Sequence, residues 1–140
     1  GRNLFLILAV IALALGLNWL VLQTGSDAQI VPPPENVAEE FVRSAVAFRW
    51  QGAREQLTEN LGQKVSEEQL LRLVEQIEQA RGVVEQVHAI GSQAGGQQAS
   101  ATIEMTFEDR GTARAVFPLE RENFLWKVSA VEPLLSFAGE

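Results

Sequence analysis

The chain has no cysteine and no tyrosine, and its single histidine and single methionine are His88 and Met105. Without cysteine there is no disulfide, no thiolate ligand and no lipid-modified N-terminal cysteine, although an oxidising compartment stays compatible. One histidine and no cysteine exclude a bis-histidine haem and a cysteine-ligated iron–sulfur cluster. No carboxylates cluster at metal-ligand spacing, so neither a metal nor another cofactor is expected. The only aspartates are Asp27 and Asp109, which leaves no Ser-His-Asp set. No glycine-rich loop follows a strand to cradle phosphate. Basic residues are also few: 11 Lys and Arg stand against 18 Asp and Glu, a formal charge of −7. Such a balance repels nucleic-acid phosphates and argues against a nucleic-acid partner.

What is present begins with an apolar run. Residues 4–22 carry no charge, and only Asn18 is frankly polar. As a helix the run spans roughly 28 Å, close to the hydrocarbon thickness of a bilayer. That exceeds the apolar stretch of a secretory signal, so residues 1–23 read as a single-pass transmembrane anchor contacting lipid through residues 4–22. A cleavage pattern at Ser26 and Ala28 in "SDAQ" keeps the alternative of a removed signal open. Arg2 precedes the run and no Lys or Arg follows until Arg43, which sets the N-terminus in the cytoplasm and the rest outside. The expected location is the cell membrane, with the C-terminal domain periplasmic or extracellular. Ala12 and Gly16 form a small-xxx-small pair and Asn18 offers a hydrogen bond, a candidate helix-packing face. The bland alternative is that such residues are common in membrane helices.

Residues 24–35 contain "VPPP" and read as a Pro-rich linker, either a stiff stand-off or mere punctuation. Residues 36–140 then read as one α+β domain, and from Thr24 onward, with Arg2 left behind in the anchor, the chain is formally near −8. Asn36 and Glu39 predict a helix start, followed by an apolar stripe of Val37, Phe41, Ala45 and Phe48. Gly52 punctuates it. A shorter helix with Leu57 and Leu61 inward ends at Gly62. The third helix opens on a capping box, Ser66 with Gln69, carries Leu70, Leu73, Val74 and Ile77 inward, and stops at Gly82.

After Gly82 the period changes to two. Ala99, Ala101, Ile103, Met105 and Phe107 alternate with polar residues, as do Ala113, Ala115, Phe117 and Leu119. With "GVVEQVHAIGSQ" before, a turn at Gly95 and Gly96, and "FLWKVSAVEP" after, this predicts a four-stranded antiparallel meander. Pro118 predicts an edge or bulge. The expected fold class is therefore α+β: an N-terminal transmembrane helix, then three helices packed on a four-stranded, curved antiparallel sheet.

The segments "AEEFVRSAVAFRWQGAREQL", "SEEQLLRLVEQI" and "GTARAVFPLERENFLWKVSAV" resemble the nuclear transport factor two-like superfamily, also called cystatin-like or ketosteroid-isomerase-like. The resemblance spans roughly residues 36–132. It implies a cone whose sheet curls round the helices, with a pocket at the wide end. Enzymatic members place an Asp, His or Tyr acid–base pair there. None of those residues has a match here, so the resemblance implies a non-catalytic, membrane-anchored member.

His88 is the remaining candidate base. With the hairpin turning at Gly95 and Gly96 it opposes Ile103 and faces inward, although a slip of one residue turns it outward. Candidate pocket residues are His88, Ile103, Met105 and Trp126. Leu134, Leu135 and Phe137 form a candidate docking patch, unless the tail simply covers the sheet. Three functions stay open. The first is a non-catalytic accessory or scaffold subunit binding protein partners in a membrane complex. The second is a carrier or sensor of a small apolar ligand. The third is an enzyme with His88 as general base.

Overall fold

The computed structural model describes residues 31–139. Among them no helix is long and apolar enough to cross a membrane. The run at residues 4–22, with Ala12, Gly16 and Asn18, lies outside the described residues, as does most of the linker.

Helix α1 (Pro34–Val46) begins two residues before the expected Asn36 cap, with Pro33 as N-cap and proline in the first turn. The fixed φ of proline and its missing N–H suit a helix start, where that N–H would have no partner. Val37, Phe41 and Ala45 are buried as the stripe predicts, but Phe48 lies beyond the helix at φ +61 and is 48% exposed. The expected second helix is two: α2 (Trp50–Glu55) and α3 (Glu59–Lys64). Thr58 separates them, its side chain accepting from Leu61 N–H as an N-cap, so Gly52 and Gly62 lie inside helices rather than ending them. Helix α4 (Glu67–Arg81) opens on both bonds of the Ser66–Gln69 capping box, at 2.8 and 3.1 Å. It closes at Gly82, whose φ of +92 suits a residue without Cβ.

Four strands follow: β1 (Val84–Gly95), β2 (Gln98–Phe107), β3 (Thr112–Glu122) and β4 (Leu125–Val128). They pair antiparallel in chain order, β1-β2-β3-β4, as one curved half-barrel sheet. The inner face carries the alternating residues that the sequence marks: Ala101, Ile103, Met105, Phe107, Ala115, Phe117 and Leu119 are buried. Two bulges, at Glu85 and Ile90, interrupt the β1–β2 register. Bulges bend a strand and raise its twist, which matches a sheet that curls. Pro118 sits where β4 has ended beside β3. Its carbonyl accepts from Ser129 N–H at 2.9 Å on that side, so its missing N–H breaks no ladder bond.

The sheet's inner face packs on α1, and a 3₁₀ helix (Glu132–Ala138) folds back against α4 and β3. Phe117 is central, touching Phe41 edge-on at 5.8 Å and Phe137 at 6.1 Å between ring centroids. Edge-on contacts of this kind suit the ring quadrupoles and add to the area buried.

Candidate functional site

The β1–β2 turn falls at Gly96 and Gln97, with Gly95 opposite Gln98. That register pairs Gly91 with Thr102, and continued without interruption it would set residue 88 against Met105, on the inner face. The bulge at Ile90 intervenes. It places His88 opposite Glu104 and turns the imidazole to the outer face, where its side chain is 43% exposed. The expected opposition to Ile103 is thus corrected, and with it the placement of His88 in an interior pocket. One extra residue in a strand is enough to exchange faces.

On that outer face Glu104 bridges two strands. Its Oε1 lies 3.2 Å from His88 Nε2, and its Oε2 accepts from Arg114 Nε at 3.1 Å. The three residues form one cross-strand row, His88 on β1, Glu104 on β2 and Arg114 on β3. Arg114 holds the carboxylate, and the His88 ring lies beside it. Alternation along β2 marks Glu104 as outward, yet no sequence pattern announces the row, because it depends on two registers at once.

A groove of about 530 Å³ runs beside the free edge of β1, lined by Arg43, Val46 and Arg49 from the α1 side and by residues 84–88 of β1. Arg43 spans its wall. The guanidinium pairs with Glu39 Oε2 at 2.6 Å and donates from Nε to the Val87 carbonyl at 3.0 Å. Glu39 Oε1 in turn accepts from Ala89 N–H at 2.9 Å. Two side chains one helical turn apart therefore cover two backbone groups of an edge strand. Spacing gives the Glu39–Arg43 pair away as an i,i+4 couple; its contact with β1 is not written in any local pattern.

The remaining candidates separate. Ile103 and Met105 have no exposed surface and Trp126 is 5% exposed, so all three belong to the core. Arg121 stacks over the Trp126 ring at 4.7 Å, at the rim of that core. Leu134 and Phe137 are wholly buried beneath the 3₁₀ helix, so the expected docking patch is reduced to Leu135, at 39% exposure. The tail covers the sheet because its two larger inward side chains find Phe117 and α4 there. Phe124, the first residue of the segment expected to form the fourth strand, is instead the second residue of a two-residue turn. It stands at φ +69, 78% exposed. Among the described residues no group of three or more metal-ligating side chains comes together.

The architecture is thus helices first, then a curled four-stranded meander. The NTF2-like transpeptidase of Campylobacter jejuni matches it with a TM-score of 0.58 over 71% of this chain and 100% of that one, at 11% identity. The fold is that of the NTF2-like proteins. A SEC-C motif-containing protein of Rhodopseudomonas palustris also superposes, with a TM-score of 0.53 over 69% of this chain and 75% of that one, at 12% identity. At such identities the NTF2-like likeness is one of fold alone. No family model and no curated relative matches the sequence.

Proposed function

We propose that this chain is a non-catalytic, membrane-anchored accessory or scaffold subunit whose extracytoplasmic NTF2-like domain binds other subunits of a larger membrane complex. The observation that carries this reading is how the inner face of the cone is used. Ile103, Met105, Phe107, Phe117, Leu134 and Phe137 are wholly buried against one another and against α1 and α4. Side chains engaged in a packed core do not line a site for substrate, so what the fold offers to other molecules is its surface. The apolar run at residues 4–22 supplies the tether, and the charge of about −8 beyond it keeps the domain off an anionic lipid surface.

The test is mild detergent extraction of native membranes, native separation and mass spectrometry for this chain. Co-migration with a constant set of larger subunits is the expected result. Migration as a free monomer or small homo-oligomer would overturn the proposal.

A second reading has one observation in its favour. A carboxylate beside an imidazole, as Glu104 lies 3.2 Å from His88 Nε2, is the pairing from which a general base and its positioning group are built. On the accessory reading His88→Ala leaves co-migration unchanged and removes no activity. A turnover lost in His88→Ala and in Glu104→Gln would favour the second.

A further inference from the structure

An edge strand leaves a row of N–H and C=O groups with which another strand can pair, and folded proteins block such rows. In this sheet β1 is an edge, and α1 runs along it in the opposite direction. Three α1 residues, each four apart, meet it in turn. Arg43 Nε donates to the Val87 carbonyl, Glu39 Oε1 accepts from the Ala89 N–H, and Glu35 Oε1 accepts from the Ser92 hydroxyl at 2.6 Å.

The two elements keep step. Four helical residues rise roughly 6 Å, and two strand residues about 6.8 Å. Val87 to Ala89 is two residues. Ala89 to Ser92 is three, which in a regular strand would overrun one helical turn. The Ile90 bulge absorbs the odd residue: opposite it, β2 advances only from Ile103 to Ala101. The bulge that turns His88 outward therefore also holds β1 in register with α1.

A paired strand would lie about 4.8 Å from β1. Arg43 Nε, at 3.0 Å from the Val87 carbonyl, and Glu39 Oε1, at 2.9 Å from the Ala89 nitrogen, stand inside that lane. Their own ion pair, at 2.6 Å, keeps both side chains there. At Val87 and Ala89, α1 and an added strand thus exclude one another. The rest of the edge is short. Glu85 is bulged out of the ladder, and with Gly95 paired to Gln98 only Ala94 beyond Ser92 still turns its backbone outward. One residue does not make a ladder.

We propose that Glu39 and Arg43, with Glu35 beyond them, form an edge guard that takes the place of a fifth strand and keeps β1 from pairing with β1 of a second copy of this chain. A second copy is the strand to be excluded because two β1 edges about a two-fold axis offer each other the same outward groups. Val84 and Val87 also favour extended backbone. This goes beyond the accessory-subunit reading and does not rest on it, since a chain bound to larger subunits and a chain alone need the same protection.

The test is sedimentation equilibrium of the purified full chain in a density-matched mild detergent. Glu39→Ala with Arg43→Ala opens the edge. Glu68→Ala with Arg72→Ala removes an exposed pair of the same spacing on α4 and is the control. The open-edge variant is expected to dimerise with a dissociation constant at least about tenfold below those of the unaltered chain and the control, the effect of gaining main-chain hydrogen bonds. Adding Ala89→Pro removes the freed N–H, which β2 does not use, and should restore the control value. Circular dichroism and a single thermal transition establish that each variant folds. Should the double variant unfold, Glu39→Ala alone frees the same N–H and carries the comparison. Self-association equal to that of the control, or undiminished by Ala89→Pro, would overturn the proposal. So would a Glu39→Ala chain that no longer folds, because the contact would then hold the domain together rather than shield its edge.

Discussion

Phe124 sits in a backbone conformation that side chains with a Cβ avoid, and its ring is almost fully in solvent. Together with Asn123 at φ +50 it forms the two-residue turn between β3 and β4, a shape that demands positive φ at both positions. The left-handed region costs an L-residue about 1–2 kcal/mol, and an exposed ring recovers little of that. Phe124→Gly should therefore raise stability by about 1 kcal/mol, read from the midpoint of chemical denaturation. An unchanged or lowered midpoint would mean that the ring makes contacts its exposure conceals. Glu104 illustrates the opposite balance. Its contacts, one to His88 and one an ion pair with Arg114, reach side chains that are 43% and 66% exposed, where solvent screens the attraction. Glu104→Gln should lower stability by less than about 1 kcal/mol. A loss of several kcal/mol would show that the His88–Glu104–Arg114 row holds the sheet together rather than decorating it.

At the scale of elements, α4 carries a capping box legible in four letters, "SEEQ", and present with both of its bonds. Ser66→Ala leaves the Gln69 N–H without that acceptor and should cost about 1 kcal/mol, measured by denaturation of the purified chain. A null effect would mean that water replaces the cap at no loss. Capping and alternation are local, so α4, β2 and β3 could be placed from sequence to within a residue or two. The break between α2 and α3 could not. It turns on Thr58, whose N–H bonds to Val128 O far along the chain while its side chain caps α3. The first turn of the hairpin escaped for another reason. "AGGQQ" offers several two-residue turns of similar quality, and the Ile90 bulge leaves no compositional trace.

For the whole molecule the C-terminal 3₁₀ helix is the closing piece. Leu134 and Phe137 have no exposed surface, and Phe137 lies against the central Phe117. Removing one buried side chain of this size costs about 2–5 kcal/mol, and a domain holds only about 5–15 in all. Truncation after Val131 should therefore abolish the cooperative unfolding transition, and Phe137→Ala should lower the midpoint strongly while leaving a single transition. A truncated chain that still unfolds cooperatively near the original midpoint would show that the tail is an appendage.

Sequence alone determined the α+β class, the inward residues of α4, β2 and β3, the absence of thiol chemistry, and the apolar run that reads as an anchor. Each of these follows from composition or from a period repeated over neighbouring residues, which short-range sterics and burial enforce. Tertiary structure decided the rest. It turned His88 outward through a single bulged residue, drew Leu134 and Phe137 from a candidate docking patch into the core, and set Glu39 and Arg43 against the edge of β1. Those outcomes depend on which distant strand or helix arrives opposite a given residue. Register and docking are fixed by the sum of many weak contacts across the chain, and no local stretch of letters contains that sum.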